Sequence, residues 1–177
     1  MPEPHLLVVS GPPAAGKTVV STALAELIDR SMVVPIDEIR LWVKSGRSEP
    51  LPEWTDETAL QFQLAEDSAA DVASRYWEAG FSVILDHCRL PANIDAFCQR
   101  CFAERRVVKV ALVPPLELVL IRNAQRSNKD FDPRVLEPVI RGVHSAYTSE
   151  DLSGWIVVDN LGDPGSTARS IFERVRT

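Results

Sequence analysis

The sequence contains no apolar run approaching the roughly 18 consecutive residues that a membrane-spanning helix requires. Residues 1–5 lack the basic start of a signal peptide, and no long apolar stretch follows them. Cysteine is also scarce, with three residues among 177, and an odd number is a poor basis for a disulfide framework. Together these absences predict a cytoplasmic protein without a membrane-spanning segment.

An excess of positive charge is missing as well. Lys and Arg number 19 against 25 Asp and Glu, which gives a net charge of −6 and a pI of about 5.1. Because non-specific binding to nucleic acid depends on clustered Lys and Arg, this balance weighs against a nucleic-acid partner. It leaves room for a small anionic ligand, since one pocket can be basic on an acidic protein.

The pattern of apolar residues alternates between strand-sized runs and longer helical stretches, as expected for parallel βαβ units. We therefore predict a single α/β domain over residues 1–177, with a doubly wound parallel sheet of five strands. The predicted strands are 6–9, 32–36, 81–85, 107–113 and 155–158. A long helix before Gly80 has Leu60, Leu64, Ala65, Val72 and Tyr76 on one side, which predicts its apolar face.

A phosphate-binding loop follows the first predicted strand and precedes a helix. It fits the pattern G-x-x-x-x-G-K-[ST], in which glycines let successive backbone N–H groups turn towards phosphate oxygens. The predicted nucleotide-binding residues are Gly11, Pro12, Pro13, Ala14, Ala15, Gly16, Lys17 and Thr18. We expect Lys17 to be a catalytic residue that contacts the β- and γ-phosphates of ATP. We expect the Thr18 hydroxyl to bind Mg²⁺.

Two aspartates follow predicted strands, at the edge where ligands bind in open α/β sheets. Asp37 is the predicted base for an acceptor hydroxyl, and Asp86 the predicted Mg²⁺ ligand or acceptor-positioning group. Their order remains open, and each aspartate could instead cap the turn beyond its strand. Arg40, one helical turn after Asp37, is a candidate for binding an anionic group of the acceptor.

A lid is predicted around residues 122–134. Arg122 and Arg126 are four residues apart on a predicted helix, so they project from one face. Such a basic segment can close over ATP, neutralise charge on the transferred phosphoryl group and exclude water. In the alternative interpretation, these arginines form surface ion pairs with Glu117 or Asp130.

The remaining cysteines and histidines have weaker signals. Cys98 and Cys101 form C-x-x-C, but a second ligand pair for zinc is missing and both lie on an apolar helix stripe, which predicts core packing. Of the three histidines, His87 beside Asp86 is the best placed to contact a substrate.

With these residues, the chain resembles the nucleoside-monophosphate-kinase-like branch of P-loop proteins over nearly its whole length. It looks most like small kinases of the zeta-toxin, chloramphenicol-phosphotransferase and polynucleotide-5′-kinase type. Zeta toxins and polynucleotide kinases carry D-x-x-R where this chain has Asp37 and Arg40. The resemblance implies a sheet order of 2-3-1-4-5 and Asp37 as the base. It also implies a lid with arginines and an adenine-binding loop at 159–164. The segment from Asp86 to Arg89 departs from the D-x-T-N usual in polynucleotide kinases.

The function that these features imply is ATP- and Mg²⁺-dependent transfer of the γ-phosphate to a hydroxyl of a small molecule. One alternative acceptor is a polynucleotide 5′-hydroxyl. Another alternative is a nucleotide-dependent ATPase switch, although His87 stands where motor ATPases place a glutamate. A GTPase would carry N-K-x-D, which residues 128–131 do not complete. The acceptor pocket is expected around residues 37–54 and the start of the long helix, with Trp42, Trp54, Gln61 and Arg40 as candidates.

Overall fold

The computed structural model of the chain describes residues 3–125 and 133–176. Its strands are β1 (Leu6–Ser10), β2 (Ser31–Pro35), β3 (Ser82–Asp86), β4 (Val107–Leu112) and β5 (Trp155–Val158). Its helices are α1 (Lys17–Ala25), α2 (Ile36–Arg40), α3 (Asp56–Glu78), α4 (Pro91–Phe102), α5 (Leu116–Ala124), α6 (Glu137–Ser149) and α7 (Pro164–Val175). A 3₁₀ turn, Pro133–Leu136, precedes α6. No helix in these ranges is both long and apolar enough to cross a membrane.

The described strands form one all-parallel sheet in the order β2-β3-β1-β4-β5, which confirms the predicted fold. The central strands β1 and β3 are buried along their whole length, as expected for a parallel sheet covered on both faces. In register, Asp86 pairs with Val9 on one side and Pro35 on the other. The carboxyl ends of β1, β2 and β3 therefore meet at one edge, where the phosphate loop begins.

Alternate residues of β1 enter separate cores on the two faces of the sheet, as the two-residue period of a strand requires. Leu6 and Val8 pack with α3, α4 and α6. Leu7 and Val9 pack with α1 and α7. The sheet is thus held rigidly between two helical layers, and its loop-bearing edge is left to bind ligands.

The apolar face predicted for α3 is wrong at every position except Ala65. Leu60, Leu64, Val72 and Tyr76 are exposed, whereas the buried side of the helix consists mainly of Phe62 and small residues. Ala65, Ala69 and Ala73 join the core beneath the sheet. Small side chains let the helix approach the sheet closely, and this close approach outweighs the burial of the larger leucines.

Several element boundaries differ by one or two residues from those predicted. β2 ends at Pro35, and α2 begins at Ile36 with Asp37 and Glu38 in its first turn, where acidic groups favour a helix N-terminus. β3 includes Asp86. α5 ends at Ala124, before the predicted Arg126. Cys98 and Cys101 are partly buried against the core, as predicted, and all three cysteines are free.

Candidate active site at the carboxyl edge of the sheet

The phosphate loop adopts backbone angles that its glycines make accessible. Gly11, Ala14 and Gly16 have φ angles of 145°, 64° and 92°, a region in which L side chains are strained. A side chain at Gly11 would also collide with the backbone carbonyl of Leu112 in β4. The loop geometry therefore depends on glycine at Gly11 for both conformation and space.

Lys17 lies at the start of α1 and is largely buried. Its Nζ donates hydrogen bonds to the carbonyl oxygens of Gly11, at 3.2 Å, and Pro12, at 3.0 Å. The ammonium group thus crosses the mouth of the loop and faces the crevice, where a phosphate oxygen can replace a carbonyl as its partner.

Thr18 and Asp86 meet beside this loop. The Thr18 hydroxyl donates a 2.6 Å hydrogen bond to Oδ2 of Asp86, so two hard oxygen ligands adjoin at the end of β3. Burial raises the pKa of Asp86 above its ordinary value, although the charge of Lys17 and the bond from Thr18 oppose this shift. A buried carboxylate that favours protonation in this way is stabilised by a nearby cation. The pair therefore fits Mg²⁺, which prefers one or two protein oxygens together with phosphate and water.

Asn160, in the loop after β5, supports the phosphate loop from behind. The side chain is only 4% exposed, and its Nδ2 donates a 2.6 Å hydrogen bond to the Ala15 carbonyl. Its Oδ1 accepts a 3.0 Å hydrogen bond from Thr167 in α7. The sequence prediction placed the adenine loop here but gave Asn160 no role.

Arg122 contacts the same loop, since its guanidinium donates a 3.0 Å hydrogen bond to the Asn160 carbonyl. This places Arg122 beside the nucleotide side of the crevice rather than in an ion pair with Glu117. Arg126, the other arginine of the predicted lid, lies outside the described residues.

Asp37 lies in the first turn of α2 and its side chain is 53% exposed to the crevice. Burial of the carboxylate would raise its pKa, but interaction with His87 and the charges of Lys17 and Arg40 lower the pKa below its ordinary value. These interactions place Asp37 within electrostatic reach of Lys17. The predicted base and the phosphate loop therefore share one crevice.

His87 does not face a substrate, because its ring is fully buried. Nδ1 lies 3.6 Å from Oδ1 of Asp37, and Nε2 lies 3.0 Å from Oε1 of Glu66 in α3. Burial alone would lower the pKa of His87, but the two carboxylates reverse this and raise it. The imidazole therefore lies between Glu66 and the predicted base, two carboxylates that favour its protonated form.

Glu66 anchors this arrangement although it is only 5% exposed. Arg100 of α4 donates a 2.8 Å hydrogen bond to its Oε2, and Nε of Arg89 lies 3.5 Å from its Oε1. Burial raises the pKa of Glu66, but the hydrogen bonds from His87 and Arg100 outweigh it and lower the pKa overall. Sequence reasoning assigned no role to Glu66, because a lone glutamate inside a helix gives no local signal.

The predicted acceptor pocket contains four aromatic and cationic groups. The guanidinium of Arg40 lies 3.9 Å from the centroid of the Phe62 ring, and that of Arg89 lies 4.8 Å from it. Trp54 stacks against Phe62 with ring centroids 4.8 Å apart. Phe62 and Arg89 were not predicted as pocket residues.

The other two predicted pocket residues differ in their settings. Gln61 is buried and bonds the backbone of Gly46 and Ser48, so it shapes the loop before α3 instead of facing a ligand. Trp42 is highly exposed.

Tyr147 of α6 connects the two sides of the crevice. Its buried hydroxyl lies 2.6 Å from Oγ of Ser10, directly before the phosphate loop, and 3.0 Å from the carbonyl oxygen of Arg89. One side chain thus holds the start of the phosphate loop and the backbone of the acceptor side at a set separation.

The fold recurs in solved structures of low sequence identity. The APS kinase of Mycobacterium tuberculosis in complex with AMPPNP and APS has a TM-score of 0.72 and 13% identity, with 100% of each chain covered. The shikimate kinase of Acinetobacter baumannii in complex with shikimate has a TM-score of 0.64 and 22% identity, covering 98% of this chain and 93% of that one. A gluconokinase from Sinorhizobium meliloti 1021 has a TM-score of 0.65 and 20% identity, covering 98% and 94%.

Comparison of the sequence with curated proteins gives no match. The AAA_33 model, described as an AAA domain, matches residues 6–149. This stretch includes the phosphate loop, Asp37, His87 and Glu66, and extends over most of the sequence. The chain therefore belongs to the AAA_33 family of AAA domains.

Proposed function

We propose that this protein is an ATP- and Mg²⁺-dependent phosphotransferase that moves the γ-phosphate of ATP to a hydroxyl group of a small molecule. The observation that carries the proposal is the position of Asp37, which shares one crevice with Lys17 and is ionised within reach of its charge. A base facing a phosphate loop is the arrangement that transfer to an alcohol requires. The kinase relatives of the fold support the same class of reaction.

The nucleotide side would hold the triphosphate through the backbone N–H groups of residues 11–18, with Lys17 on the β- and γ-phosphates. Arg122 adjoins the loop at 159–164, where the adenine would bind. Thr18 and Asp86 would hold Mg²⁺. When bound there, the ion would supply positive charge that neutralises the phosphates and helps to orient them for attack.

Asp37 would act on the acceptor. Its carboxylate accepts a hydrogen bond from the attacking hydroxyl and takes the proton as the new oxygen–phosphorus bond forms. The bond between the γ-phosphorus and the bridging oxygen breaks, and ADP leaves with the electron pair. A carboxylate of lowered pKa suits a loose transition state, because the hydroxyl keeps its proton until bond formation is advanced.

The segment around residues 122–134 would form a lid over the nucleotide, with Arg126 contacting the departing phosphoryl group as a catalytic residue. Within the family, the Asp37–Arg40 spacing supports a relationship to the zeta-toxin-like small kinases. The reducing cytoplasm is the expected compartment, consistent with the chemistry of three free thiols.

The experiment that tests this proposal is a panel of hydroxyl-bearing metabolites, antibiotics and 5′-hydroxyl oligonucleotides, incubated with the protein, Mg²⁺ and labelled ATP. We expect phosphate incorporation into a small molecule by the wild-type protein and none by Asp37→Asn. Incorporation into the oligonucleotides alone would instead identify a polynucleotide kinase. Rapid ATP hydrolysis that needs no acceptor and survives Asp37→Asn would identify an ATPase switch and overturn the proposal.

A further inference from the structure

Two arginines from separate elements share the ring of Phe62 beside Asp37. Arg40 comes from the end of α2 and Arg89 from the segment after β3, so they are 49 positions apart in the chain. Their guanidinium carbons lie 3.9 and 4.8 Å from the ring centroid, within the range of favourable cation–π contact. The stacking fixes the planes of both guanidinium groups and reduces the entropy that they would lose on binding a ligand.

Neither guanidinium has its hydrogen-bonding capacity filled by the described residues. Nε of Arg40 and Nε of Arg89 are both buried without a hydrogen-bond acceptor there. Arg40 donates one bond, to the Ser48 carbonyl, and is only 8% exposed. Arg89 has a 3.5 Å ion pair with Glu66, a carboxylate that His87 and Arg100 already engage. Unfilled donors of buried cations carry a cost that an anionic partner removes.

The charges around the Phe62 ring are of both signs. Asp37 and Glu66 lie among Arg40, Arg89, Arg100 and His87, while Asp67 pairs with Arg100 and the charge of Glu49 acts on Arg40. The charges of Arg40 and Arg89 repel one another. An anion bound by both guanidinium groups would offset this repulsion.

We infer that Arg40 and Arg89 form a subsite for an oxyanion, a carboxylate or a phosphate, and that the phosphoryl acceptor is a small hydroxyl compound bearing this group. The second half of this inference rests on the proposed function, whereas the anion subsite does not. The oxyanion accepts hydrogen bonds from both guanidinium groups. Trp54, stacked on Phe62 and half-exposed, offers an apolar surface to the carbon skeleton that carries the hydroxyl towards Asp37.

The experiment follows the NMR chemical shifts of the arginine Nε–Hε groups while an anion is added. The protein is first saturated with Mg²⁺ and AMPPNP, so that the added anions do not bind at the phosphate loop. Loss of one signal in Arg40→Gln and of another in Arg89→Gln assigns the resonances. Acetate and inorganic phosphate are titrated separately, with chloride as the control for ionic strength. We expect saturable shifts of both signals with acetate or phosphate, and the stronger ligand identifies the oxyanion that the subsite prefers.

The variants provide the second measurement. Arg89→Gln is expected to weaken anion binding about tenfold or more, because a charge-assisted donor is lost. The matched control is Arg30→Gln: Arg30 also stacks on an aromatic ring, Phe81 at 4.3 Å, and bonds a backbone carbonyl, but lies before β2. This control should keep wild-type affinity. If Arg40→Gln folds poorly, Arg89→Gln and the wild-type titration still decide the question.

Shifts no larger than those with chloride, or undiminished anion affinity in Arg89→Gln, would overturn the subsite. The acceptor panel separates this result from the kinase proposal. If the arginine signals respond and no hydroxyl compound is phosphorylated, the kinase function fails and the subsite stands. If neutral alcohols are phosphorylated as well as hydroxy acids and sugar phosphates, the kinase function stands and the acidic acceptor class is wrong.

Discussion

The proposed nucleotide side of the crevice takes most of its functional groups from one continuous stretch, residues 11–18, whereas the proposed acceptor side takes them from distant parts of the chain. Asp37, Glu66 and His87 belong to three separate segments, and ion pairs through the buried His87 ring hold them together. On the nucleotide side, backbone conformation creates the site. On the acceptor side, side-chain charges create it. A site formed by backbone conformation tolerates few substitutions within its motif. A site formed by side-chain charges can acquire a different ligand when individual side chains are replaced.

The largest expected effect is on the nucleotide side. Lys17→Ala should abolish phosphoryl transfer, because the side chain that crosses the loop mouth is the proposed contact to the β- and γ-phosphates. Transfer is measured with labelled ATP and the acceptor found in the panel. Lys109→Ala, which removes a lysine of β4 that pairs with Asp95 of α4, is the control and should keep wild-type activity. Activity retained in Lys17→Ala would exclude this loop as the phosphate site.

Asp37→Asn should lower transfer by about 10²–10⁴-fold, the usual contribution of a general base, while ATP binding is largely spared. Turnover and AMPPNP affinity are measured separately. Glu38→Gln changes the neighbouring exposed carboxylate and serves as the control. Equal losses in ATP affinity and turnover would show that Asp37 belongs to the nucleotide side.

Arg126→Ala should reduce turnover by about tenfold to a hundredfold and ATP affinity much less, since its charge is proposed to matter as the phosphoryl group departs. Steady-state kinetics with varied ATP separate the two quantities. A loss confined to ATP affinity would place Arg126 in ground-state nucleotide binding.

The ion pairs of the acceptor side can be tested by stability. Glu66→Gln should lower the free energy of unfolding by about 2–4 kcal/mol, because it leaves the buried His87 without one of its counter-charges and Arg100 without an ion pair. Asp67→Asn, which also loses an ion pair with Arg100 but at an exposed position, should cost less than about 1 kcal/mol. Denaturant titrations at neutral pH compare the two.

The effect of Glu66→Gln on the free energy of unfolding should depend on pH. The pKa of Glu66 is lower in the folded protein than its ordinary value of 4.5, so its stabilising effect is complete above that value and is lost as the pH falls through the folded pKa. The stability difference between wild type and Glu66→Gln should therefore narrow below pH 4.5. If the difference in unfolding free energy between wild type and Glu66→Gln stayed constant below pH 4.5, the charge of Glu66 would not be its cause.

The smallest expected effect concerns Asn160. Asn160→Ala should lower the free energy of unfolding by about 1–2 kcal/mol and weaken AMPPNP binding several-fold, because the Ala15 carbonyl and the Thr167 hydroxyl lose their partner. Glu173→Ala, at an exposed position of α7, is the control. Unchanged nucleotide affinity in Asn160→Ala would show that the phosphate loop keeps its shape without this support.

The strand order and the phosphate loop could be predicted because both depend on local patterns and on a motif of adjacent residues. Asp37 and Asp86 could be predicted because strand ends in a parallel sheet share one edge. Glu66 could not, since its role depends on which face of α3 meets the sheet, and the leucine stripe suggested the wrong face. The pairing of Arg40 with Arg89 depends on Phe62, which lies on that same buried side.

The position of the Tyr147 hydroxyl has a mechanical consequence. Because it contacts both Ser10 and the Arg89 backbone, α6 cannot slide along the sheet without giving up bonds at two places at once. In the proposed reaction, α6 would therefore hold the phosphate loop and the Arg89 backbone at a constant separation while substrates bind and leave.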